Sequence, residues 1–102
     1  MKENVTIREN SWVAAIAAYK LGVTSVALTL GRTIHLHKIS RSGFIADQRW
    51  FRHEMVHVEQ FRRYGFWNFI YLYLVESLKK GYYLNKFEVE ARESESETIA
   101  TG

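Results

Sequence analysis

The stretch from Gln48 to Tyr64 constrains this chain most, because apolar and aromatic side chains recur there at helical spacing on two sides at once. Trp50, His53, His57, Phe61 and Tyr64 follow one another at intervals of three and four and form one stripe; Phe51, Met55 and Val58 form a second. A surface helix needs only one apolar stripe. A helix apolar on two sides must run through the centre of a domain, with other elements packed on each side. Asp47 is placed to cap its start and Gly65 to break its end.

With 102 residues there is room for one domain, so the remaining elements must cover that helix. Ser11 can cap a helix from Trp12 to Leu21, rich in alanine, and Gly22 can end it. Val26, Leu28 and Leu30 alternate with small or polar residues, as do Ile34 and Leu36. Gly31-Arg32 between the two runs suits a two-residue hairpin turn. This hairpin is the only β structure expected, and it places His35 and His37 on the face opposite Ile34 and Leu36. KISRSGF, residues 38 to 44, reads as a loop. A further helix should cover about Phe66 to Lys80 and stop at Gly81. Asn85 can cap a last one that starts at Lys86 and enters the Glu-rich end. Helix, hairpin, helix, helix, helix makes an α+β domain over residues 1–92, followed by an acidic tail over residues 93–102.

Composition narrows the chemistry. There is no cysteine, which excludes a disulfide framework and a thiolate metal site, so any ion must be held by His nitrogen and carboxylate oxygen. The first residues, MKENVTIREN, have no apolar core like that of a signal peptide. The longest apolar stretch, residues 66 to 75, falls well short of the roughly 20 residues a spanning helix needs. A cytoplasmic protein with no membrane span is therefore expected. The net charge of +3 hides an asymmetry, since residues 88 to 102 hold five Glu and a single Arg. The basic charges elsewhere are scattered, with no dense stripe, so no nucleic-acid partner is expected.

The central helix carries His53-Glu54-Met55-Val56-His57. Two histidines four apart lie about 40° from each other around the axis, so both rings can reach one ion. Zinc accepts neutral imidazole nitrogens, and a Glu next to the first His can move a proton without ligating the metal. This is the physical content of the HExxH pattern: His53 and His57 as ligands, Glu54 as general base, Zn2+ as cofactor. Catalytic zinc normally has three protein ligands, and Glu59, Glu88, Glu90, His35 and His37 are candidates for the third. Glu59 lies on the wrong side of the same helix. Glu88 and Glu90 are about 200° apart on theirs, so only one can face the site.

HEMVHVEQ followed, after an aromatic helix, by GYYLNKFEVEAR resembles the minigluzincins over roughly residues 26 to 92. These are metallopeptidases of about this size, similar to the catalytic cores of integral-membrane peptidases of the CAAX-protease and heat-shock types. The resemblance implies a minimal zincin-like (gluzincin) fold and hydrolysis of peptide bonds by metal-activated water. In that family the third ligand is a Glu within a Glu-x-x-Ala pattern. Glu88-Val89-Glu90-Ala91 fits it, which assigns Glu88, with Glu90 as second choice. The same Asn85-x-x-Glu88 spacing also suits a capping box. Arg92 stands where the membrane relatives often carry an Asp that supports a ligand histidine, so the outer partners of the ligands stay unassigned.

Tyr82 and Tyr83, just ahead of the ligand helix, are candidates for stabilising an oxyanion. His35 and His37 are candidates for flanking the cleft, because zincin-like folds present a strand to extended peptide. The resemblance also implies latency through the C-terminal segment. The tail with Glu93, Glu95 and Glu97 would fold over the cleft, in its own molecule or a neighbour's, and its removal would raise activity. The rival reading is a non-catalytic zinc-binding or protein-interaction module. A third is a peripheral membrane or nucleic-acid binder that uses the basic body and the aromatic helix.

Overall fold

A computed structural model describes residues 5–101 and shows a mixed α+β fold with five helices and a three-stranded sheet. The elements run β1 (Thr6–Arg8), α1 (Trp12–Leu21), β2 (Val26–Leu30), β3 (Thr33–His37), α2 (Arg41–Ala46), α3 (Gln48–Tyr64), α4 (Phe66–Leu84) and α5 (Lys86–Thr101). Ser11 caps α1 with its hydroxyl, which accepts from the amides of Val13 and Ala14. Gly22 closes that helix in the left-handed region at φ 71°, a conformation that costs glycine nothing. Ala14 and Ala18 are fully buried, letting α1 lie close on the sheet.

The sheet order is β1-β3-β2. β2 and β3 form the expected hairpin, with Leu30 opposite Thr33 across Gly31-Arg32. β1 was not foreseen. Its three residues pair parallel to β3, with Ile7 opposite Ile34, and a parallel partner brought back by a crossover leaves only weak local pattern in so short a strand. The stretch expected as a loop, residues 38 to 44, also differs: it runs into α2, because the Ser40 hydroxyl accepts from the amide of Gly43 and starts a turn there. The Phe44 that α2 carries is fully buried.

α3 runs between two apolar clusters, as its two stripes require. Ile34, Leu36, Phe44 and Val58 form one, with Phe51 and Met55 packed against it. Phe61, Phe69 and Phe87 form the other, with Tyr64 and Tyr73 at its edge. Asp47 caps α3 by accepting from the Trp50 amide. α4 is broken at Gly81, whose φ of 81° and ψ of 166° are not helical. The chain then turns at Asn85, which has no exposed surface. Its side-chain carbonyl accepts from the Phe87 amide at 2.8 Å, and its amide group donates to Tyr73 O and Ser77 Oγ. One side chain therefore starts α5 and fastens it to α4.

Replacing Asn85 with Ala removes a cap and leaves buried partners unpaired. The expected loss is about 1–3 kcal/mol of stability, read as a lower urea midpoint with an unchanged slope.

Candidate metal centre

His53 and His57 lie one turn apart on α3 with ring centroids 5.0 Å apart. Glu88, on α5, projects between them. Its Oε1 is 3.1 Å from His53 Nε2 and its Oε2 is 3.3 Å from His57 Nε2. The ligating atoms of the three residues all fall within 4.8 Å of one another. A tetrahedral ion with bonds of about 2.0–2.1 Å spaces its ligand atoms roughly 3.3 Å apart, so the cluster is already the right size. These three side chains could hold a metal ion.

The outer nitrogens of both rings are engaged as well. His57 Nδ1 donates to Gln60 Oε1 at 2.9 Å, and the Gln60 amide in turn donates to Phe87 O at 3.1 Å and to Glu90 Oε1 at 2.7 Å. His53 Nδ1 lies 2.7 Å from Glu95 Oε2, and Arg49 is 3.6 Å from the other oxygen of that carboxylate. With a proton on each Nδ1, both Nε2 lone pairs point at the same place, as metal-ligating histidines require. Tyr73 donates to Glu88 Oε2 at 2.5 Å.

The two buried carboxylates are pushed in opposite directions. Burial works to raise Glu88, but hydrogen bonds from His53, His57 and Tyr73 outweigh it and hold the carboxyl far below its ordinary range. Burial raises Glu54, and the pull of His57 and of the Thr29 hydroxyl does not reverse that. Burial also works to lower His53 and His57, but hydrogen bonding to Glu88, with Glu54 nearby, leaves both above the ordinary imidazole value. Thr29 Oγ1 donates to Glu54 Oε1 at 2.6 Å, and Glu54 makes no ion pair among the described residues.

A cavity of about 280 Å³ opens beside the three candidate ligands, walled by apolar side chains such as Leu28, Phe69, Ile70 and Leu74. Glu54, Tyr73 and Tyr82 line it too. A second, more polar hollow continues past His53 and Glu54 toward Arg49 and Glu95. The Tyr82 side chain is largely exposed, but partial desolvation where it lines the cavity, together with the Glu88 charge, pushes its phenol up to about 12.

Residues 3–65 match the family model described as the eCIS core domain. The chain belongs to the eCIS core domain family. This is a small domain family associated with zinc-metallopeptidase-like proteins. No curated protein and no solved structure matches the chain. In this eCIS core domain the matched region takes in the sheet and α3 with His53, Glu54 and His57, and it ends before Glu88.

Several candidates read from the sequence sit elsewhere. Glu90, the second choice for third ligand, faces away from the cluster and accepts from Gln60, since it lies about 200° around α5 from Glu88. Glu59 pairs with Arg62 on the surface. The Asn85-x-x-Glu88 capping box does not form, because the Glu88 carboxylate is taken by the histidines and Tyr73. His35 Nδ1 bonds Ser11 Oγ at 2.8 Å, and neither His35 nor His37 borders the cavity. Tyr83 is exposed and stacks under Arg92. Residues 93–101 do not form a separate tail but continue α5, which sets Ser94 and Glu95 against α3; the side chain of Glu97 lies outside the described residues. Thr29, Gln60 and Tyr73 were not singled out by sequence, and only Gln60, three residues after His57, carried a usable spacing signal; Glu95 reads in sequence as part of a blocking tail, not as a partner of His53.

Without metal, the two histidines stabilise the fold fully below their unfolded value of 6.5 and lose that contribution as pH rises through their raised folded values. Glu88 stabilises above 4.5 and loses its contribution as pH falls toward its depressed value. Urea midpoints in chelator should therefore peak between about pH 4.5 and 6.5. A divalent ion should restore stability on the alkaline side, where the histidines are deprotonated.

Glu95→Gln, or truncation before Glu93, should weaken metal binding about 10–100-fold in competition titrations with a chromogenic chelator. Unchanged affinity in both would show that Glu95 does not support His53.

Proposed function

We propose that this eCIS core domain is a zinc-dependent metallopeptidase, with His53, His57 and Glu88 as ligands and Glu54 as general base. The observation that carries the reading is Glu54 itself. It is a buried carboxylate without an ion pair among the described residues, aimed by Thr29 and placed where the ligand cluster meets the cavity. A site that only held a structural ion would have no use for it. The resemblance to minigluzincins supports the same assignment and a zincin-like arrangement of these elements, and the family's association with zinc-metallopeptidase-like proteins agrees with it.

When bound, zinc would polarise a peptide carbonyl and make a nearby water more acidic. The protein's residues supply the rest. Glu54, with its raised pKa, takes a proton from the attacking water and returns it to the leaving amine. Tyr82 keeps its proton at neutral pH and lines the cavity, so it is the better placed of the two tyrosines to donate to a developing oxyanion. Tyr73 and Asn85 hold Glu88 and the start of α5 in place. β2 is the sheet's edge strand on the α3 side, and its free backbone edge suits an extended peptide. Glu95 supports His53 in this reading, which turns the acidic segment from a blocking tail into part of the site.

The test is elemental analysis of the protein, His57→Ala and Glu54→Gln, followed by incubation with a mixed peptide digest read by mass spectrometry. The protein should hold about one zinc per chain and cut peptides; His57→Ala should lose the metal, and Glu54→Gln should keep it but cut nothing. Turnover that survives in Glu54→Gln would remove the assigned role. Metal-loaded protein that cuts nothing would favour a non-catalytic zinc-binding module.

A further inference from the structure

Among the described residues, two helices leave an apolar face without a partner. On α1, Trp12, Ile16 and Tyr19 follow one another at intervals of four and three; Trp12 is 74% exposed and Tyr19 86%. On α4, Trp67, Tyr71, Leu74 and Leu78 do the same at four, three and four; Trp67 is 78% exposed and Leu78 89%. The opposite sides of both helices are the buried ones, through Ala14 and Ala18 on α1 and Phe69 on α4. Leu21 at the end of α1 and Leu74 and Tyr82 on α4 are exposed and also line the apolar cavity. Exposed apolar stripes of this extent mark an interaction site.

The charges indicate what covers it. Every exposed charge on α1 and α4 is a lysine: Lys20, Lys79 and Lys80. The one acidic residue on these helices, Glu76, is buried and pairs with Lys80 at 3.7 Å. Lysine is depleted in protein–protein interfaces, and a second copy set face to face would bring these lysines toward one another. Lys20 and Lys79 flank the two stripes, whereas Lys80 lies on the far side of α4 with Glu76; tryptophan and tyrosine bordered by lysine is the composition of a face that lies in a lipid interface. No described helix is long and apolar enough to cross a membrane, so the contact is with the surface.

We propose that α1 and α4 dock this domain on an anionic lipid bilayer, with the aromatic stripes in the headgroup layer and Lys20 and Lys79 over acidic headgroups. The inference does not depend on catalysis. If the peptidase reading also holds, the substrates are apolar segments presented at a lipid surface.

Flotation with vesicles of phosphatidylcholine alone, or of phosphatidylcholine with phosphatidylserine, at physiological salt tests it. The whole protein should bind the anionic vesicles at least about tenfold more strongly, with a blue shift of tryptophan fluorescence. Trp67→Ala with Leu78→Glu should cut binding about tenfold or more, and Lys20→Glu with Lys79→Glu should do likewise. All four positions are exposed, and unchanged circular dichroism and metal content would show that the variants fold. Absence of binding to anionic vesicles would overturn the proposal. So would binding that ignores the Trp67 and Leu78 changes, which would reduce it to charge adsorption. Concentration-dependent dimerisation abolished by Leu78→Glu would assign the face to a second copy instead.

Discussion

One carboxylate ties the structure together. Glu88 meets His53 and His57 of α3 and accepts from Tyr73 of α4, so three helices converge on two oxygen atoms. A charge this deep is costly unless it is fully paired and hydrogen-bonded. Its neighbours meet that demand, and they also explain the path of the backbone. Gly81 breaks α4 and Asn85 starts α5 at the angle that brings Glu88 back to α3. Gln60 then pins the start of α5 a second time, through Phe87 O and Glu90.

The central helix makes this arrangement possible. Because α3 is apolar on two sides, it has a cluster of core residues on each flank, and the histidines lie in the band between them. Glu54 and Glu88 stand within that band in different surroundings. The first is buried with a single hydroxyl donor and is pushed up; the second is surrounded by donors and is pushed down. Two carboxylates whose environments separate their pKa values are suited to different tasks, one to carrying a proton and one to staying ionised.

What was legible in the sequence was what local chemistry decides. Ser11, Gly22, Gly31, Asp47 and Asn85 mark turns and caps whose partners lie within a few residues, and each stands where that chemistry puts it. The spacing of His53 and His57 is equally local. What escaped depends on distant approach. β1 exists because β3 accepts it, and α2 begins on a serine hydroxyl inside what looks like a polar loop. Thr29, Tyr73 and Glu95 gain their roles only once β2, α4 and α5 have closed on α3. Glu95 illustrates the difficulty best: in sequence it stands only as one of three glutamates in a tail over the cleft, and the unbroken course of α5 is what takes it to His53 Nδ1.

The candidate ligands are divided unevenly along the chain. His53 and His57 arrive together, but the third stands 35 positions after the first. During synthesis, the sheet and α3 can leave the ribosome and begin to fold while the carboxylate that completes the cluster has not yet been made. Until α5 emerges, only two of the three candidate ligands are present. The cluster that could hold an ion is therefore complete only once α5 has joined α3.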